Sequence, residues 1–264
     1  MTDETVLVIG ATGNIGSSVI IAARRTGRKV LAIVRNKESE DKMFSYLDSK
    51  EGITTVQADI ISEDGVKGVV DQVVAGKLPA FQHVYATVGM LNWTMPVHTI
   101  PTDEFRKCNQ VNTEANFFAY RATIPYLLSH GGLNATYTLI TGGAGEIGFA
   151  GVTAITQAAL FGLSSCAARE LADTNIRFNE IMLSWRVDYD SVAEEKIKNG
   201  ETRCMKASDF AKSYEEILNR KEFKGCRLKV ETPEDLVDVK PVPKLPQFSA
   251  WERFSKKKEG EAEE

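Results

Sequence analysis

Cysteine is sparse and scattered. Cys108, Cys166, Cys204 and Cys226 show no CxxC spacing, so neither a zinc site nor a disulfide framework is signalled, and the thiols read as reduced in a cytoplasmic protein. His83, His98 and His130 stand at no ligand spacing, and no metal is expected. An excess of basic charge is also missing. The 32 basic and 36 acidic residues leave a net charge of −4, which offers a polyanion no attraction, so nucleic acid is not an expected partner. Residues 1–20 lack the basic start of a signal peptide, and no apolar run approaches a membrane span. Without secretion the sequons beginning at Asn92 and Asn134 read as coincidental. No repeat and no internal linker interrupts the chain.

What is present suits one packed domain: 264 residues, 43% of them hydrophobic. Short β-branched runs are predicted as strands at Thr5–Ile9, Lys29–Val34, Ile53–Ala58, His83–Val88, Thr136–Ile140, Ile176–Met182 and Arg227–Val230. Between them helical spacing appears, most clearly in Phe105–His130, Ala154–Ala172 and Ser208–Asn219. Apolar strands alternating with helices imply a doubly wound parallel sheet covered on both faces, here a single domain over residues 1–239. After Val239 the stretch KPVPKLPQFSAWERFSKKKEGEAEE is proline-spaced and then charge-dense. It reads as an extended, partly disordered tail over 240–264, in which Trp251 and Phe254 either dock on the body or hang free.

Two glycine-rich turns follow predicted strands: LVIGATGNIG at 7–16 and LITGGAGEIG at 139–148. A dinucleotide fingerprint needs a tight turn, backbone N–H groups at a helix start, and a ribose-reading residue about 20 positions on. The first turn has this setting. Gly10, Gly13 and Gly16 carry the spacing, Thr12, Asn14, Ile15 and Ser17 complete the turn, and the second strand ends at Arg35 and Asn36. Arg35, with Lys37 nearby, offers a planar cation for a 2′-phosphate where an NAD site commonly has an acid, so the expected cofactor is NADP(H).

With these residues the chain resembles the short-chain dehydrogenase/reductase family over about residues 5–232. Asp59-Ile60 matches the family's acid and aliphatic residue closing the third strand beside adenine. Ala86-Thr87-Val88-Gly89 matches, in altered form, the family's Asn-Asn-Ala-Gly, and Asn112 its structural asparagine. The resemblance implies a Rossmann fold and assigns the second glycine turn to the catalytic loop. There the family's serine falls at Thr141-Gly142, most closely at Gly142, while Thr153 and Gln157 fall at its tyrosine and lysine. The catalytic set is missing, and only the positions Asn112, Thr141, Thr153 and Gln157 mark it.

An aliphatic hydroxyl is a poor acid, and general acid–base help of this kind is worth typically 10²–10⁴-fold. Ordinary ketone reduction is therefore expected to be slow or absent. Three readings stay open. One is a reductase of an already activated electrophile, an iminium ion or conjugated carbonyl, in a specialised-metabolite pathway. Certain fungal alkaloid-pathway short-chain reductases are similar in the same absence. The second is a non-redox isomerase or cyclase, and the third an inactive nucleotide-sensing or partner subunit. Tyr120, Glu146, Asp188, Tyr189 and Asp190 can be named as substitute proton donors; Tyr120 reads as core and the acids as solvated charges. Leu183 and Ser184 stand where the family has its Pro-Gly turn. Trp93 and Met95 suggest an apolar wall for a small-molecule substrate. The small residues of AALFGLSSCAA permit a homodimer or homotetramer through that helix.

Overall fold

The structure, a computed structural model, describes residues 2–245. The chain runs β1 (Thr5–Ile9), α1 (Asn14–Arg25), β2 (Lys29–Val34), α2 (Lys37–Ser45), β3 (Ile53–Gln57), α3 (Gly65–Val74) and β4 (His83–Ala86). It continues through α4 (Thr102–Asn109), a π-helical turn (Gln110–Glu114), α5 (Ala115–His130), β5 (Thr136–Gly142), α6 (Ala144–Ile147) and α7 (Gly151–Glu170). Then come β6 (Arg177–Leu183), β7 (Arg186–Asp188), α8 (Asp190–Lys198), β8 (Cys204–Lys206), α9 (Ala207–Asn219), β9 (Cys226–Val230) and β10 (Pro241–Pro243).

Eight strands form one sheet in the order β10-β9-β6-β5-β4-β1-β2-β3. Every pairing is parallel except β10 with β9. The strands are apolar because both faces are covered. Val19, Ile20, Phe210, Tyr214 and Ile217 pack on one face, and Val66, Val69, Ala115, Leu127 and Leu160 on the other. This is the doubly wound Rossmann arrangement the alternation implied. All parallel strands end at one edge, and β1 lies between β4 and β2, where the winding reverses and ligands of such sheets bind.

Several elements depart from the sequence-based expectation. The helix expected over 105–130 is broken by the π-helical turn, whose extra residue re-aims Asn112. A small parallel sheet, β7 with β8, stands after β6 where no strand was expected. At the start of the expected tail, β10 pairs with β9, while Trp251 and Phe254 lie outside the described residues. Against the expectation that no apolar run is long enough, α7 has the length and composition to cross a membrane. It is a core helix, laid on β5 and β6 with half of that stretch buried.

Candidate functional site

At the end of β1 the backbone turns at Gly10, with φ +92°. A side-chain carbon there would stand 2.8 Å from the Thr87 hydroxyl, so the position excludes anything but glycine twice over. A carbon on Gly16 would lie 2.2 Å from Gly10 O, which is how closely α1 approaches the turn. Helix α1 opens at Gly13 with no side-chain cap and no acid in its first turn. Its positive end and free N–H groups thus face outward, ready for an anion. The side-chain donors of Asn14 and Ser17 are already used within the fold. Asn14 Nδ2 donates to Val187 O and to Asp188 Oδ1, and Ser17 Oγ donates to Asn14 O. Asn14 therefore contributes its backbone to the turn while its side chain ties the turn to β7. Ile15 packs into the core beneath, and Thr12 O accepts from the Tyr189 hydroxyl.

The ends of β2, β3 and β4 supply the rest of this half. Arg35 is exposed and forms no ion pair among the described residues. Lys37 instead pairs with Glu40 and Asp41 at 2.8 and 3.0 Å, which leaves Arg35 as the cation available here. The Asn36 side chain caps α2 by accepting from Ser39 N. Asp59 is exposed and accepts from Ile61 N, while Ile60 packs inward. Thr87 bonds Ile9 O through both its amide and its hydroxyl, tying β4 to the glycine turn between buried Ala86 and Val88, and Gly89 opens to solvent.

The second glycine turn closes the other half. Asn112 Oδ1 accepts from Met90 N at 2.7 Å, and its Nδ2 donates to Met90 O, Cys108 Sγ and Thr156 Oγ1. On α7, Thr153 Oγ1 accepts from Asn92 N at 2.7 Å and donates to Asn92 O at 3.0 Å. One helical turn on, Gln157 Oε1 accepts from Gly142 N at 2.7 Å. A side-chain carbon at 142 would rest in ordinary contact with this arm, 3.4 Å from both Cγ and Cδ of Gln157. Thr141 does not join this group. Strand alternation turns its hydroxyl to the helix face, where it donates to buried Glu180. Asn112, Gly142, Thr153 and Gln157 are thus brought together, and Thr141 is turned away.

An apolar wall rises beside them. Trp93 and Phe149 meet edge to face at 4.6 Å, and Leu91, Met95 and Ile147 are exposed nearby in sequence. The wall is pinned where the chain enters α7. A carbon on Gly151 would fall 2.0 Å from Thr94 O, and Ala150 takes a left-handed φ of 65°.

The DYD stretch is not the solvated loop its charges suggested. Asp188 is 3% exposed and accepts from Asn14, Arg186, Lys196 and Cys204. Burial works to raise its pKa, but the bonds from Lys196, Cys204 and Arg186 outweigh it and hold the carboxyl below its usual value. Tyr189 stacks on Tyr46 at 3.8 Å, and burial beside that ring pushes its phenol up to about 12. Asp190 accepts from Ser208 N. Neither Asp188 nor Tyr189 is a free acid near neutral pH. Tyr120 donates to Glu170 on the outer side of α5, and Glu146 pairs with Arg227 and Lys229. One contact had no signal in either segment read alone: a carbon on Gly143 would stand 1.9 Å from Ser184 Oγ, so glycine on β5's turn makes room for a hydroxyl from the end of β6.

The family profile described as short chain dehydrogenase matches residues 4–187. The chain belongs to this family. Short-chain dehydrogenase/reductase iacG of Pestalotiopsis fici is 50% identical over 235 residues, covering 88% of this chain and 93% of that one. The 3beta-hydroxysteroid dehydrogenase of Mediterraneibacter gnavus is 25% identical over 182 residues, covering 68% of this chain and 64% of that protein. Among solved structures, ElxO with NADP bound superposes with a TM-score of 0.74 at 19% identity, covering 87% of this chain and 97% of that one. Family membership makes this chain an oxidoreductase by descent.

Proposed function

We propose that the chain is an NADP(H)-dependent reductase with a non-standard active site, acting on an activated electrophile, an iminium or conjugated carbonyl of the specialised-metabolite kind. One contrast carries this reading: an open, anion-ready turn with an unpaired Arg35 beside it, set next to a Thr153 hydroxyl whose proton is already committed to Asn92 O. The residues present fit the cofactor. Gly10, Gly13 and the α1 N-terminus would hold the pyrophosphate, Arg35 the 2′-phosphate, Asp59 and Ile60 the adenine side. When bound, that group supplies hydride. The protein's part is to orient the electrophile against the apolar wall and exclude bulk water, with no strong acid at the tyrosine position. Two copies associate through α7, where Ile155, Ala159, Gly162 and Cys166 form an exposed stripe of mostly small residues.

Two measurements test this. NADPH oxidation followed by absorbance should be negligible with cyclohexanone or benzaldehyde and measurable with at least one of an aryl enone, a naphthoquinone or a cyclic iminium. Brisk turnover of the simple carbonyls would overturn the assignment of Thr153 and Gln157. Fluorescence titration should show NADPH bound more tightly than NADH, and Arg35→Asp should erase most of a preference of roughly ten- to a hundredfold, the size expected for a charge-assisted phosphate contact. Equal affinities in the parent would remove Arg35 from the site, and no nicotinamide binding at all would favour the non-redox or regulatory reading.

A further inference from the structure

At the catalytic positions, every polar side chain except one has its donors assigned. Asn112 is fully buried and spends its amide hydrogens on Met90 O, Cys108 and Thr156. Thr153 gives its proton to Asn92 O, and Thr141 gives its own to Glu180. Gln157 is different. Its oxygen accepts from Gly142 N, and because a backbone N–H can only donate, that bond fixes which end of the amide is oxygen. The Nε2 group therefore faces away from Gly142, and among the described residues no acceptor pairs with it. A carboxamide clamped by its oxygen, with its nitrogen left over, is a preset hydrogen-bond donor.

We propose that Gln157 is a catalytic residue whose Nε2 hydrogens bind the oxygen of a conjugated carbonyl substrate, an enone or quinone, and hold it as negative charge develops there. The proposal rests on the reductase reading above and narrows it. A neutral N–H donor stabilises an enolate or phenolate oxygen, whereas it turns its positive end toward an iminium. In the step, hydride from the dihydronicotinamide forms a C–H bond at the electrophilic carbon of the conjugated system. That carbon's π pair moves through the conjugation to the oxygen, so the substrate gains two electrons and the nicotinamide loses them. Gln157 keeps its protons throughout. The resulting enolate or phenolate takes one proton from water, which explains why no acid is needed at Thr153.

The test uses the whole protein and two readouts. The first is ionisation of bound 4-nitrophenol, an apolar phenol whose anion absorbs visibly and whose oxygen mimics the reduced substrate's. The parent should lower its apparent pKa by roughly one to two units, the shift expected from hydrogen bonds to a charged oxygen. Gln157→Leu should abolish the shift, and so should Gln157→Glu, which keeps an oxygen on Gly142 N but supplies no donor. The second readout is kcat with an aryl enone or naphthoquinone, which should fall about 10²-fold or more in both variants, the loss typical of removing an oxyanion donor, while fluorescence shows NADPH still bound. An unshifted phenol in the parent, or an equal shift in Gln157→Leu, overturns the proposal. So does parental kcat in the Gln157 variants, or a loss confined to Ser184→Ala, which would move the donor to β6. Reduction of the iminium probe alone would keep the reductase and overturn this substrate class. Failure to bind NADPH would sink the reductase reading, and the phenol titration would then decide the donor by itself.

Discussion

Gly16→Ala is expected to weaken NADPH binding by at least about tenfold and to lower the melting temperature by roughly 5 °C, because its new methyl meets backbone and not a movable side chain. It would stand 2.2 Å from Gly10 O and 2.8 Å from Ala11 Cα. Overpacking of this kind costs about 1–3 kcal/mol, which translates to the stated shifts in Kd and Tm. Gly13→Ala is the informative partner. Its methyl has 3.4 Å to the nearest atom, Gly10 O, so the fold should tolerate it. Yet the methyl stands at the mouth of α1, where the pyrophosphate would approach under the proposed function. Scanning calorimetry and fluorescence titration together should show Gly16→Ala losing both stability and affinity, and Gly13→Ala losing affinity only. A Gly16→Ala protein that melts with the parent would show that α1 can withdraw from the turn at no cost.

The second large effect is remote from the cofactor. Glu180 is fully buried on β6 and receives Arg227 at 3.0 Å, Lys244 at 2.6 Å, Ser164 and Thr141. Burial alone would raise its pKa, but the hydrogen bond from Arg227 and the charge and bond of Lys244 hold it below the usual carboxylate value. Lys244 is also held below its usual value, because for it burial outweighs the attraction of Glu180. The two directions are compatible: the carboxylate is over-supplied with cations, and the lysine side chain, only 6% exposed, loses more by burial than it gains from Glu180 and, more weakly, Glu146. Glu180→Gln should therefore cost about 3–5 kcal/mol, as removing one member of a buried ion pair does. A fall in Tm of roughly 10 °C follows for a chain of this size. The double change Glu180→Met with Lys244→Met should recover most of that loss, since apolar replacements remove the burial cost of both charges. Thermal melts of the three proteins decide it, and a Glu180→Gln protein as stable as the parent would refute the account.

The sheet was legible because its strands are buried on both faces and so appear as unbroken β-branched runs such as TVLVI and KVLAIV. The glycine turn was legible for a similar reason: Gly10 is required by its φ of +92°, and Gly16 by contact with Gly10 and Ala11, its near neighbours in sequence. Asp188 was not. A carboxylate in a DYD stretch looks solvated until Lys196 and Cys204 fold back over it and Asn14 reaches it from the other end of the chain. Asn112 could be placed by its helix, but the π-helical turn that aims it at Met90 has no local signature. Gln157 could be read as a missing lysine, an amide still able to hydrogen-bond the nicotinamide ribose. Its clamped orientation depends on the backbone of Gly142, which is a fact of tertiary structure and not of spacing.

The antiparallel strand β10 has a further consequence for how copies of this protein meet. Lys244 N donates to Gly225 O, so the even-numbered amides of this stretch face β9, and Pro241 and Pro243 turn their nitrogens outward. A proline nitrogen carries no hydrogen, so over these residues the outer rim has no main-chain donors to offer an incoming strand. The rim is thus sealed against the edge-to-edge stacking by which open sheets aggregate. Removing this short segment would uncover β9 as an edge that offers main-chain donors to a neighbouring strand.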